Sequence, residues 1–321
     1  MRAIQFTEFG DPSKLHLVTL PDPKPDEGTA VVRIKAASVN PSDVTNVAGQ
    51  MEHAVLPRVP GRDFSGVVER GPAEWLGAEV WGTGGDIGFL TNGTHAERIA
   101  FPVASLVRKP RNLDHATASA IGVNFVIAWL GTVTYAGLKP GETIAVVGAG
   151  GGVGGAVVQI AKARGCRVIG VDRTPPTADS PAGRLIDDYV AADADAPQKI
   201  RLLTGGTGAA VVFDAVGGVM FETALLSLGH RGRLVEISGT GKRRVEFDAV
   251  DFYHNESRIF GADSRKLDIA ASAALLADLV PGFESGAYAA PVIAATYPLE
   301  EARAAYEAVA TGTTGRVVIT P

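Results

Sequence analysis

The stretch Thr143-Ile144-Ala145-Val146-Val147-Gly148-Ala149-Gly150-Gly151-Gly152-Val153-Gly154-Gly155 decides the fold. Its first five residues have the apolar, β-branched character of a buried strand. The glycines form a turn, and the residues that follow set Val153, Val157 and Ile160 on one face of a helix. Strand, turn and helix in this order bring backbone N–H groups and a helix N-terminus to a pyrophosphate, and glycine permits both the tight turn and a close approach by the ligand. Gly150, Gly151, Gly152, Val153 and Gly154 are therefore candidate cofactor-binding residues. Twenty residues beyond Gly152 stands Asp172, at the end of the next strand, where an acid can accept hydrogen bonds from the adenosine ribose hydroxyls. Arg173 beside it can engage the 2′-phosphate of NADP, whereas Asp172 suits the free hydroxyl of NAD and repels that phosphate. NADPH and NADH both stay open. The alternative is a glycine turn that merely packs helix on strand; motif, spacing and neighbouring elements together favour the nucleotide.

From about residue 116 the chain reads as helices alternating with short apolar strands, the pattern of a parallel sheet covered on both faces. Strands are expected at Thr143 to Val147, Arg167 to Val171, Asp188 to Ala191, Ala209 to Phe213, Arg233 to Ile237 and Arg258 to Ala262. Six of them make a doubly wound, Rossmann-type sheet. The first ~115 residues read instead as short strands broken by turns. Val32, Ile34 and Ala36 alternate with Arg33 and Lys35, further strands are expected around Gly66-Val67-Val68 and Ala78-Glu79-Val80-Trp81, and Pro21, Pro23, Pro25, Pro57 and Pro60 mark loops. A barrel-like β module is the expected sum. The tail from about Lys266 predicts an Ala/Leu-rich helix, an amphipathic helix through Glu300 to Val309 and a closing strand at Arg316 to Thr320. The boundaries drawn are 1–118, 119–262 and 263–321, the outer two segments forming one domain.

Length agrees: 321 residues, at roughly 150 per domain, suit two domains with substantial cores. Thirty basic against thirty-five acidic residues give a net charge of -5, which offers no electrostatic footprint for nucleic acid or an anionic membrane. The uncharged runs Ala116 to Leu138 and Thr143 to Ala161 are broken by polar residues and glycines, so a membrane span is not expected. A single cysteine, Cys166, and a start without an apolar signal core favour a reducing cytoplasm. Gly239-Thr240-Gly241-Lys242 resembles part of a P-loop but has Arg243 in place of the hydroxyl residue and Glu236 in place of the first glycine, and no GxSxG elbow occurs. The histidines, at 16, 53, 95, 115, 230 and 254, show no zinc-ligand spacing.

The stretches MRAIQFTEFGDP at the start, KAASVNPSD at 35–43, VPGRDFSGVVE at 59–69, AGLKPGETIAVVGAGGGVG at 136–154, VVFDAVGG at 211–218 and TGRVVIT at 314–320 resemble the zinc-free quinone oxidoreductase branch of the medium-chain dehydrogenase/reductase family. The resemblance implies an α/β protein: a GroES-like, β-rich catalytic domain from the N-terminal part plus the tail, with a six-stranded dinucleotide-binding domain inserted and the nicotinamide in a cleft at their junction. It further implies an NAD(P)H-dependent oxidoreductase, a small quinone or enone substrate and a homodimer. Zinc-dependent relatives carry a cysteine where Asn40 stands and Gly-His-Glu where Gly61-Arg62-Asp63 stands, so no metal is expected. Carried over by position, Asn40 and Asp43 border nicotinamide and substrate, while Asp214, Ala215, Val216 and Gly217, with Ser238, Gly239 and Thr240, meet ribose and nicotinamide through backbone groups. Asn40 and Asp43 can equally be a turn residue before Pro41 and a helix cap. The chain departs from many relatives at Thr45, Met51 and Ile127, and its proline-rich Thr174 to Gly183 replaces a usual helix.

Hydride transfer needs a donor to the acceptor oxygen; without a metal, the amides of Asn40 or Asn124 are the candidates. Quinones suit such a site because their reduced oxygens are weakly basic and need little acid catalysis. His53 is a further candidate proton donor. Reduction of a quinone or activated enone is the leading expectation. An enoyl-thioester reductase and a catalytically silent dinucleotide-binding protein are the alternatives.

Overall fold

The protein is represented by a computed structural model that describes residues 1–51 and 54–321, so His53 lies outside the described residues. Two compact units are found: Met1–Val123 with Ser264–Gly286 and Ala290–Pro321, and Asn124–Asp263 with Ala287–Ala289.

The second unit is built on β1 (Thr143–Val147), α1 (Gly152–Ala163), β2 (Arg167–Asp172), β3 (Asp188–Ala191), β4 (Ala209–Asp214), β5 (Leu228–Glu236) and β6 (Arg258–Gly261). The six strands form one parallel sheet in the order β3-β2-β1-β4-β5-β6. Ile144, Ala145, Val146, Val168, Ile169, Val171, Val211, Val212 and Phe213 are completely buried, which is why these strands read as continuous apolar runs rather than alternations. Strand order reverses between β1 and β4, the place where open α/β sheets bind ligands beyond the strands' carboxyl ends. The register pairs Val147 with Asp214 and Asp214 with Glu236, so the ends of β1, β4 and β5 lie side by side. After β2, residues 174–185 form turns and no helix. Pro175, Pro176 and Pro181 supply the reason, since each lacks the N–H that a helix interior needs.

The first unit contains a seven-stranded sheet. Its order is Ile293–Pro298, Arg316–Thr320, Thr29–Val39, Phe64–Arg70, Glu79–Gly82 and Val107–Arg108, and Arg98–Pro102 also pairs with Thr29–Val39. Arg33 and Lys35 point out while Ile34 and Ala36 are buried, as their alternation demands. Beyond them both ends of the strand are enclosed: Ala30, Val31 and Val32 on one side, Ala37, Ser38 and Val39 on the other. Helix Ile269–Glu284, capped by the Asp268 carboxylate on the Ala271 N–H, buries Ala273, Leu276, Leu279 and Phe283. Strand Ile293–Pro298, parallel to Arg316–Thr320, was not part of the expected pattern of the tail. Among the described residues no helix is long and apolar enough to cross a membrane.

Candidate functional site

At the end of β1 the chain turns sharply. The Gly148 N–H reaches back to the Val171 carbonyl at 2.8 Å and the Gly151 N–H closes on the Gly148 carbonyl at 3.0 Å. The chain then enters α1, whose third residue, Gly154, leaves no room for a side chain: a Cβ there would stand 2.0 Å from the Gly148 carbonyl oxygen. Gly150, Gly151 and Gly152 are exposed and Val153 is half-buried, so the mouth of the turn is bare main chain. The Asp172 carboxylate sits at its rim, accepting the Gly150 N–H at 2.9 Å and the Arg173 N–H at 2.8 Å. Arg173 is exposed and has no ion-pair partner among the described residues. Asn124, 6% exposed, places its amide nitrogen against Gly152.

Beside the turn, the loops that follow β4 and β5 are joined by backbone bonds from the Thr240 N–H to the Val216 carbonyl and from the Val219 N–H to the Thr240 carbonyl, with a bridge between Gly217 and Gly239. Buried Asp214 shapes the first loop, its Oδ1 accepting the Val216 and Gly217 N–H groups at 2.9 and 2.8 Å. The Ala215 N–H bonds the Val147 carbonyl, tying this loop to β1. Thus 150–154, 172, 173 and 124 are brought together, with 214–217 and 238–240 alongside. Ser238 and Thr240 are exposed, their hydroxyls 3.3 Å apart.

Sequence reasoning missed Glu236 as a member of this edge. It pairs in register with Asp214, and Asp214 Oδ2 and both Glu236 carboxyl oxygens are buried without a hydrogen-bond partner among the described residues. Burial, and then the charge of Asp214, push the Glu236 carboxyl up to about 8. The Ser238 N–H lies near enough to favour the ionised form slightly but makes no hydrogen bond with it. Between its ordinary value of 4.5 and about 8, the folded protein holds a proton that the unfolded chain has released, so stability falls as pH rises through that window and levels off above it. Discounted for the partial exposure of the residue, the loss is on the order of 1–2 kcal/mol. Glu236→Gln is therefore expected to melt a few degrees above the wild type at pH 8.5 and close to it at pH 5. Parallel melting curves at the two pH values would refute this.

The first unit holds a buried polar network. Asn40, 1% exposed, donates from Nδ2 to Asp63 Oδ2 at 3.0 Å and accepts from Arg316 Nη2 at 2.6 Å. Arg316 also donates to Ser38 Oγ at 3.1 Å and stands 4.0 Å from Asp63. Asp63 Oδ1 accepts the Val123 N–H at 3.0 Å. Asp43, fully enclosed, caps helix Pro41–Val47 by accepting the Asn40 N–H at 2.8 Å, and burial raises it to about 7. Asn40 and Asp43 thus occupy the turn and cap positions that their residue types also suggested, with both ends of the Asn40 amide engaged. Nearby, His95 Nε2 donates to the Ser38 carbonyl and Nδ1 accepts from the Tyr306 hydroxyl at 2.9 Å. Burial lowers His95 to about 4, so it stays neutral at physiological pH. Among the described residues no cluster of three or more His, Cys, Asp or Glu side chains could hold a metal.

The glycine turn on a six-stranded parallel sheet, together with the β-rich first unit, defines a dinucleotide-dependent dehydrogenase or reductase. Residues 26–111 match the alcohol dehydrogenase GroES-like domain and residues 152–278 match the zinc-binding dehydrogenase domain. The chain belongs to the medium-chain dehydrogenase/reductase family, on its quinone oxidoreductase branch, and is an NAD(P)-dependent oxidoreductase. It is 35% identical to a zinc-type alcohol dehydrogenase-like protein of Schizosaccharomyces pombe, over 90% of this chain and 86% of that one. It is 29% identical to the quinone oxidoreductase of Homo sapiens, over 99% and 97%. An NAD-dependent alcohol dehydrogenase superposes over the whole of both chains with a TM-score of 0.90 at 30% identity. A mycobacterial protein solved with NADPH covers both chains fully with a TM-score of 0.85 at 28% identity.

Proposed function

We propose that the protein reduces a small quinone, or a similarly activated enone, with a nicotinamide cofactor and without a metal. The observation that carries this reading is the glycine turn. Its main chain is exposed at Gly150 to Gly152 and is held by a Gly154–Gly148 contact too close for any side chain, and the Asp172 carboxylate stands at the rim where the adenosine ribose belongs. Gly150 to Gly154 hold the diphosphate and Asp172 the ribose, while the loops 214–217 and 238–240 meet the nicotinamide half. When bound, the cofactor supplies a hydride to the acceptor. The Asp172 side chain, held at the rim by the Gly150 and Arg173 N–H groups, is placed to accept from a free 2′-hydroxyl and repels a 2′-phosphate, so NADH is the preferred form.

Zinc does not suit the residues present. Where zinc-dependent relatives place a thiolate there is a neutral amide already bonded to Asp63 and Arg316, and the buried Arg316 guanidinium supplies a positive charge of its own. Asn40 and Asp43 act here by fixing local backbone rather than by proton transfer. Quinones fit a site of this kind because their reduced oxygens are weakly basic and need no positioned acid, water sufficing as the proton source. The outer edge of β6, unpaired among the described residues and close in sequence to exposed Phe247, Val250 and Tyr253, supports a homodimer joined along that edge. A lone, buried Cys166 is consistent with a cytoplasmic location.

The test is consumption of NADH and NADPH with 9,10-phenanthrenequinone, 1,4-benzoquinone and an alkenal, with and without EDTA. The reading predicts turnover that EDTA leaves unchanged and a higher kcat/KM for NADH than for NADPH. Activity that disappears with chelator, and returns with zinc, would overturn it.

A further inference from the structure

The Asn124 amide stands beside the glycine turn, and the reaction above has no use for it. Helix α1 has twelve residues and opens at Gly152, so the N–H groups of Gly152, Val153 and Gly154 have no intrahelical acceptor, and the preceding Gly151 carries no side chain to cap them. Asn124 lies against this opening. A Cβ on Gly152 would meet its Nδ2 at 2.7 Å, its Cγ at 3.3 Å and its Oδ1 at 3.5 Å, so the donor end of the amide is the nearer. The residue is 6% exposed and Nδ2 has no hydrogen-bond partner among the described residues.

An asparagine beside a helix start ordinarily presents its oxygen to the free N–H groups, as it does at an N-cap. Here a buried NH2 group without a partner among the described residues stands instead against the first residue of a helix, at its positive end. What satisfies all of these donors at once is an anionic acceptor among them. We propose that Asn124 is a diphosphate ligand, its Nδ2 sharing with the N–H groups of Gly152, Val153 and Gly154 the phosphoryl oxygens of the bound dinucleotide. This rests on the nucleotide reading above and moves Asn124 from the reacting oxygen, where the sequence suggested it, to the other half of the cofactor.

The arrangement has an unusual corollary. In Asn124→Asp a carboxylate stands beside the positive end of α1, which favours it in the free protein, and repels a diphosphate. The test is calorimetric titration of the wild type, Asn124→Asp and Asn124→Ala with ADP-ribose and with adenosine, alongside melting of each ligand-free protein. The expected result is an ADP-ribose affinity reduced roughly 100-fold in Asn124→Asp and roughly 10-fold in Asn124→Ala, the size of a lost charge-assisted hydrogen bond with and without added repulsion. Adenosine affinity should be unchanged, and ligand-free Asn124→Asp should melt no lower than the wild type. Wild-type ADP-ribose affinity in Asn124→Asp, or equal losses for adenosine and ADP-ribose, would overturn the assignment while leaving the nucleotide reading intact. Failure of the wild type to bind ADP-ribose would overturn both.

Discussion

Gly154→Val is expected to abolish dinucleotide binding and to destabilise the second unit by about 3 kcal/mol or more, at the upper end of what overpacking costs. The added Cβ would lie 2.0 Å from the Gly148 carbonyl oxygen and 2.7 Å from its carbon, both main-chain atoms that no rotamer change can move. Relief requires α1 to retreat from the turn, which carries the free N–H groups of its first turn away from any bound phosphate. The adjacent Gly155 provides the control. A Cβ there meets Ala182 at 3.6 Å and the Ala149 carbonyl at 3.8 Å, ordinary contacts, so Gly155→Ala should be neutral or stabilising by a few tenths to about 1 kcal/mol. Circular dichroism melts and ADP-ribose titrations of the pair distinguish a specific close approach from general intolerance. A Gly154→Val protein that binds like the wild type would show that the turn is not where the diphosphate rests.

Arg316→Ala should cost the first unit about 3–5 kcal/mol, the range for removing one partner of a buried ion pair. The guanidinium is 8% exposed and spans Asn40 Oδ1, Ser38 Oγ and, at 4.0 Å, Asp63 Oδ2. Burial lowers its pKa while Asp63 and Asp43 hold it charged. Without it, the donors that the enclosed Asp63 side chain keeps among the described residues are neutral: the Asn40 amide, the Ser38 hydroxyl and the Val123 N–H. Arg316→Lys, which restores the charge but not the planar fork, should recover part of the loss. Denaturant unfolding followed by tryptophan fluorescence measures both, Trp81 being enclosed in this unit. A loss below 1 kcal/mol in Arg316→Ala would mean that the pair is solvated in a way its burial does not suggest.

These two residues mark the divide between what the sequence reveals and what it conceals. Gly154 stands in a run where strand, turn and helix follow one another within thirteen residues, so local pattern suffices. Strands β1, β2 and β4 of the second unit share that advantage, each largely an apolar run bounded by turn residues. Arg316 and Asn40 are 276 positions apart and meet only because strands Arg316–Thr320 and Thr29–Val39 pair antiparallel, a non-local fact with no local signature. Strand Ile293–Pro298 was missed for a related reason: it is a half-exposed partner of Arg316–Thr320, and no apolar run announces it. In sequence Glu236 shows only as a residue that spoils a P-loop pattern, and it gains significance when register sets it opposite Asp214. Asn124 is legible as a polar residue in an apolar helix, but Gly152 lies 28 residues further on and only the packed unit brings the two together.

The claim on which all of this depends is that main chain at residues 150–154 receives a nucleotide diphosphate. Calorimetric titration with ADP-ribose, which carries the diphosphate without the nicotinamide, addresses it most directly. The expected result is saturable binding at one site per chain, displaced competitively by NADH. The absence of ADP-ribose binding, in a protein whose circular dichroism shows it folded, would contradict it.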